Sequence, residues 1–219
     1  MTVNDLISTF NKHRNQQVAS PMEAYLRNKF PFFGIKKTPR SYLQKTFIEF
    51  NKPKPLEELE ELVVNLFNNA ERELHYVGIE LLAKAKIYKN KKSIKLFERL
   101  LISNSWWDSV DTIAVKLVGA YFAEYPEERE KWIRKWIKSD NIWLNRTAII
   151  FQLSYKNQLD IPFLVRAILP HTNSKEFFIQ KAIGWALRQY AKTNPKWVKD
   201  FVKSNTLKPL SKREALKYL

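Results

Sequence analysis

The sequence predicts an all-α protein, a solenoid of antiparallel helix pairs, and three observations carry that prediction. First, apolar residues recur at helical spacing: Leu56, Leu59, Leu62, Val63, Leu66 and Phe67 follow the i, i+3, i+4, i+7 rule of one buried stripe. Second, the strict alternation expected of half-buried strands is scarce. Third, amphipathic helices begin near Glu71, Ser105, Asp140, Lys175 and Ser211, a spacing of roughly 34 to 36 residues that suits two-helix repeats. Stacked pairs of this kind bury a continuous core and usually curve, so equivalent helices line one concave face. The repetition lies in spacing and pattern, not in residue identity.

The elements can be justified in order from their start signals. Ser20-Pro21-Met22-Glu23 offers an N-cap serine, a first-turn proline and a capping-box glutamate. Thr38-Pro39 sets a capping side chain before a proline, and so does Asn194-Pro195. Pro53-Lys54-Pro55 breaks helix and reads as a short linker ahead of the Leu56 stripe. Pro126 with Glu127 and Glu128 opens another helix, its acids placed at the positive end of the helix dipole. Ser211-Lys212-Arg213-Glu214 reads as a second capping box. No composition shift marks a boundary, so residues 1–219 are expected to form a single domain.

Composition narrows the chemistry. Only 4 glycines are present, and neither G-x-x-x-x-G-K nor G-x-G-x-x-G occurs, which argues against a glycine-rich phosphate loop. Cysteine is absent, so disulfides, thiolate nucleophiles and Cys-ligated zinc are excluded. His13, His75 and His171 lie far apart without an H-E-x-x-H, and neither a metal nor another cofactor is expected. No apolar stretch approaches the ~20 residues of a membrane span, and Met1 to Phe10 lacks a signal-peptide core. A cytoplasmic protein acting on the nucleoid, without membrane association, is the expectation. The 38 Lys and Arg against 22 Asp and Glu leave a net charge of +16. Nucleic acid is the leading partner for that excess, since each neutralised phosphate releases a counterion. A basic surface that merely aids solubility is the bland alternative.

Three segments could hold chemistry. In Ser105-Trp106-Trp107-Asp108-Ser109-Val110-Asp111 two tryptophans stand beside two carboxylates. Trp107 and Asp111, four apart, share a helix face if the helix begins by Trp107, and Asp108 suits a cap. Alternatively the tryptophans are core and both acids are caps. One period on, Arg146 could hold a phosphate or simply pair with Asp111. In the next period Lys181, Trp185 and Arg188 are spaced i, i+4, i+7, with Phe178 one turn before Lys181. Such a basic and aromatic face suits a groove that holds phosphates and packs something flat or cationic on a ring, unless Trp185 is core.

These residues carry a family resemblance. Ser105 to Asp111, Ser139-Asp-Asn-Ile-Trp143, Ser174 to Trp185 and Pro209-Leu-Ser-Lys-Arg-Glu-Ala215 resemble the AlkD-type DNA alkylation-repair glycosylases, all-helical proteins of HEAT-like repeats. The likeness is close from about Asn104 to Tyr218 and looser before it. There, Pro21-Met22-Glu23-Ala24-Tyr25, Gly34-Ile35 and Thr38-Pro39 still fit the pattern. One residue is added between Gly34 and Thr38, which leaves the DNA contacts of the 34–40 loop unassigned.

The resemblance implies a HEAT-like stack whose concave basic groove approaches duplex DNA. It implies a monofunctional hydrolase of base-excision repair, acting as a monomer on cationic N3- and N7-alkylated purines without flipping the base. The family's catalytic trio matches Trp107, Asp111 and Trp185, its active-site arginine matches Arg146, and its N-terminal tyrosine matches Tyr25. With Lys181, Arg188 and Phe178, Arg146 and Tyr25 make up the expected DNA-binding set. A carboxylate preplaced at the sugar would stabilise charge only where it develops. Two rivals remain: a non-catalytic HEAT-repeat protein that binds distorted or branched DNA, and a protein-binding scaffold.

Overall fold

The computed structural model describes all 219 residues. It is all-α. In chain order the helices are α1 (Val3–Lys12), α2 (Gln16–Tyr25), α3 (Lys37–Leu43), α4 (Lys45–Asn51), α5 (Leu56–Asn68), α6 (Arg72–Lys84), α7 (Ser93–Leu101) and α8 (Trp107–Thr112). They continue with α9 (Gly119–Glu124), α10 (Arg129–Ile137), α11 (Ile142–Ile150), α12 (Ile161–Ile168), α13 (Phe177–Ala191), α14 (Pro195–Ser204) and α15 (Pro209–Ala215). A π-helical stretch, Ile113–Val118, joins α8 to α9. No helix is long and apolar enough to cross a membrane. The chain forms two compact units, Met1–Leu96 and Phe97–Leu219.

The repeat in helix starts is sharper than the sequence spacing suggests. Helices α6, α8, α11 and α13 begin at Arg72, Trp107, Ile142 and Phe177, 35 residues apart each time. The fifth start departs from this, because α15 begins at Pro209, two residues before the expected Ser211.

Several start signals are corrected. Helix α2 begins at Gln16, where Asn15 accepts from Val18 N–H, and Pro21 lies inside the helix. Asn15 is the stronger cap because its side chain reaches the exposed N–H, whereas Ser20 bonds backward to the Gln16 carbonyl. Thr38 is already helical, since Lys36 is extended and its carbonyl takes the Arg40 N–H. Ser211 lies within α15 and donates its hydroxyl to Gln180 O at 3.0 Å, so it fastens two helices together and caps neither. Asp108 is not a cap either: Trp106 holds that position, extended at ψ 161°. The other signals hold. Asn194 accepts from Trp197 N–H ahead of the first-turn Pro195. Pro126–Glu128 forms one 3-10 turn that leads into α10. Pro55 stands as N-cap of α5, which buries Leu56, Leu59, Val63, Leu66 and Phe67.

In the first unit α6 packs against α4 and α5, and α1 lies on α5. The loop ahead of α3 is tied down by Glu73, whose carboxylate accepts from Phe33, Gly34 and Ile35 N–H at 3.1, 2.9 and 3.0 Å. Gly34 has φ +85°, and a Cβ there would lie 2.1 Å from the Asn15 carbonyl oxygen. Only glycine fits so close a turn.

In the second unit one row of helices carries the candidate residues. Helix α8 packs on α11, α11 on α13, and α13 on α15. Helices α10 and α12 pack on α11, and α14 packs on α13. The core between them gathers Ile149, Ile150, Leu164, Ile168, Ile183 and Leu187, all but fully buried. Helices α13 and α15 meet over Gly184, where a Cβ would come 2.4 Å from Glu214 Cβ. The missing side chain therefore sets how closely α15 approaches.

Candidate functional site

The site starts at the first turn of α8. Trp106 is extended, and its carbonyl takes the Val110 N–H at 3.0 Å and the Ser109 hydroxyl at 3.2 Å. Asp108 then lies in the first turn, where a carboxylate suits the helix dipole. This start places Trp107 and Asp111 one turn apart on one face, both partly buried. The π-helical stretch begins two residues after Asp111. Such irregular turns often mark functional sites.

Asp111 is held by Arg146. Helix α11 is capped by Asn141, which accepts from Trp143 N–H at 2.9 Å, and Arg146 lies one turn further on, buried. Its Nε donates to one Asp111 oxygen at 2.7 Å and its Nη2 to the other at 2.8 Å. The same guanidinium donates through Nη1 to the Phe178 carbonyl of α13. Three of the five guanidinium N–H groups are thus engaged inside the protein. The side chains are 5% (Arg146) and 15% (Asp111) exposed. Burial pushes the Asp111 carboxyl above the usual aspartate range, and the Arg146 hydrogen bonds and charge pull against it. The fork-on-fork geometry is that of a carboxylate. A carboxylate offers about four lone-pair sites, so two remain free after Arg146 is satisfied.

An aromatic cluster backs this pair. The Phe178 ring meets Trp106 edge-on at 5.0 Å and Trp143 at 5.0 Å, and Trp106 and Trp143 are 5.7 Å apart. The Arg146 guanidinium carbon is 6.0 Å from the Phe178 ring. Phe178 therefore meets Arg146 through both its carbonyl and its ring.

Helix α13 divides into two faces. Ile179, Ala182, Ile183, Ala186 and Leu187 are core, while Phe178, Lys181, Trp185 and Arg188 form the partly exposed stripe. Trp185 packs on the edge of the core and is not enclosed by it. Lys181 Nζ lies 3.0 Å from one oxygen of Glu214, on α15, and Arg188 binds the other. The hydrogen bond from Lys181, then that from Arg188, holds the Glu214 carboxyl below the usual glutamate range.

The structure thus brings Asp111 and Phe178 onto one guanidinium, that of Arg146, and it gathers Lys181 and Arg188 on a common carboxylate. Trp107 shares the Asp111 face, and Trp185 lies two turns along α13 from Phe178. Tyr25 belongs to the first unit, where it ends α2 with 71% of its surface exposed. No role in the site is expected from the sequence for Glu214 or Trp143, and Trp106 is expected only as a neighbour in the Ser105–Asp111 segment or as core. A signal for Glu214 was present: opposite charges about one repeat apart meet between neighbouring helices, as Asp111 meets Arg146 and Lys181 meets Glu214. No group of three or more His, Asp or Glu side chains is arranged to hold a metal ion.

A solved structure described as a predicted DNA alkylation repair enzyme from Enterococcus faecalis superposes with a TM-score of 0.87 at 34% identity, over 94% of this chain and 96% of that one. No curated protein matches the chain. The sequence pattern of the family described as DNA alkylation repair enzyme matches residues 6–219. The chain belongs to the DNA alkylation repair enzyme family.

Proposed function

We propose that the protein is a monofunctional DNA glycosylase that hydrolyses the N-glycosidic bond of cationic N3- and N7-alkylated purines in duplex DNA, leaving the base in the stack. The helix pairs are read as HEAT-like repeats, and the row α8, α11, α13 and α15 as the face that meets the DNA. The observation that carries the reading is the Asp111–Arg146 pair: a desolvated carboxylate, fixed through both oxygens, on a side chain still 15% exposed and one helical turn from Trp107.

Alkylation at N3 or N7 makes the purine a cation. When the C1′–N9 bond breaks, its electron pair goes to the base, which leaves neutral, and positive charge develops on the sugar. Water adds to C1′, and its proton passes to Asp111. The Asp111 carboxylate stabilises charge only as it forms, which lowers the barrier without tightening ground-state binding. Trp107 and Trp185 pack ring faces on the sugar and attract its developing charge, worth about 0.5–2 kcal/mol each. Arg146 fixes the carboxylate, and Lys181 and Arg188 hold phosphates. This reading needs no cofactor.

The test is release of free base from duplexes carrying N7-methylguanine, N3-methyladenine or a neutral lesion, with duplex affinity measured alongside. The reading expects release of the two cationic bases, little release of the neutral one, and affinity that falls steeply with salt. Binding without any release would favour a non-catalytic module for distorted or branched DNA. Affinity that stays flat with salt would rule out the phosphate-holding face.

A further inference from the structure

The contact between α13 and α15 holds more charge than packing requires. Ser211 donates to Gln180 O at 3.0 Å, Ala215 is fully buried, and Gly184 lets the helices close. These features dock α15 without an ion pair. Glu214 nevertheless sits at the crossing with 13% of its side chain exposed. It presents one oxygen to Lys181, four residues before Trp185, and the other to Arg188, three residues after it. Arg188 also reaches the Glu214 carbonyl, at 3.5 Å. A carboxylate that offers two oxygens to two cations imitates the two free oxygens of a phosphodiester. Lys181 is the more exposed of the two cations, 38% against 22% for Arg188, and so the easier to release.

We propose that Glu214 is a positioning residue that stands in for a DNA phosphate. It holds Lys181 and Arg188 on either side of Trp185 and cedes at least Lys181 to the duplex on binding. This rests on the DNA-binding reading above and adds a regulatory consequence. The internal carboxylate competes with every phosphate, so it weakens adhesion to undamaged DNA while keeping the two cations ordered. Without Glu214, the same cations bind phosphate with no partner to displace.

The test is affinity for a fluorescein-labelled undamaged duplex, by anisotropy across a salt series. The proteins are wild type, Glu214→Gln, the Lys181→Gln/Arg188→Gln double variant and the triple variant, with thermal melting of each. Glu214→Gln is expected to bind about tenfold more tightly, the size of one charge-assisted bond. Freeing Arg188, which Glu214 retains when it cedes Lys181, is also expected to steepen the salt dependence by about one phosphate contact, a slope of ~0.9. The triple variant is expected to match the double variant, because Glu214 acts only through those two cations. Glu214→Gln that binds no more tightly than wild type overturns the proposal, and so does a tightening that persists without Lys181 and Arg188. Loss of cooperative melting in Glu214→Gln overturns it too, by showing that the carboxylate serves the fold. Wild type that fails to bind duplex overturns this proposal together with the reading beneath it, whereas the three preceding results overturn this proposal alone.

Discussion

Glu73 and Asp111 are both carboxylates that burial pushes above their usual range, and they solve the problem of a buried charge in different ways. Glu73, in the first turn of α6, is 0% exposed and spends its oxygens on three backbone N–H groups of the 33–35 loop. Asp111, in α8, is met by one planar guanidinium that takes both oxygens along one edge, and its side chain is still 15% exposed. The first arrangement consumes a charge to fix a loop. The second holds a charge in place while leaving lone pairs for something else. Burial and a raised pKa alone do not separate a structural acid from a chemical one; what separates them is how the partners are distributed around the carboxylate.

That contrast can be broken by substitution, starting with the largest effect. Glu73→Ala leaves three backbone N–H groups without an acceptor, at ~1–3 kcal/mol each. Chemical denaturation of the whole chain is expected to show a loss of at least about 3 kcal/mol, and a near-neutral result would mean the loop is held by other contacts. Arg146→Ala strands a buried carboxylate, which costs about 3–5 kcal/mol in comparable pairs. It is expected to lower both stability and base release. Loss of stability alone would separate the pair from catalysis.

Smaller effects are expected on the Asp111 side. Trp185→Ala is expected to slow single-turnover release by roughly 3- to 30-fold, matching ~0.5–2 kcal/mol for one ring on a cation. An unchanged rate would return Trp185 to a packing role. The pH profile comes last. Asp111 acts as a carboxylate, so activity is present above its folded pKa and lost as pH falls through it. Because burial holds that pKa above the usual aspartate range, the acid limb should come at higher pH than for an ordinary aspartate. Arg146→Gln removes the interactions that lower it, so the limb should move further up. The sign for stability is opposite. A folded pKa above the unfolded one means the native state takes up the proton more readily, so the Asp111 contribution weakens as pH rises through that range.

Much of this was legible in the sequence, and the failures share a physical origin. The 35-residue spacing of helix starts and the α5 stripe could be read because both are set by local periodicity and burial. The starts of α2 and α15 were misplaced because Ser20 and Ser211 have capping chemistry whose use depends on what else is near. Asn15 outcompetes Ser20, and Gln180 on a neighbouring helix engages Ser211. Pairing across helices is likewise invisible to local pattern. Arg146 could be read as phosphate ligand or as partner of Asp111, and the contact itself shows the pairing. The aromatic cluster of Trp106, Trp143 and Phe178 spans three helix starts, so no single segment displayed it.

The central claim is that Asp111 is held as a carboxylate to stabilise charge at the sugar. Its most direct test is single-turnover release of N7-methylguanine from duplex DNA by wild type and Asp111→Asn, at protein concentrations that saturate the DNA. The asparagine keeps the shape and one acceptor but loses the charge. The account predicts release slowed about 100- to 1,000-fold, as for loss of one preorganised electrostatic group, with duplex affinity retained. Release at the wild-type rate by a folded, DNA-bound Asp111→Asn would contradict it.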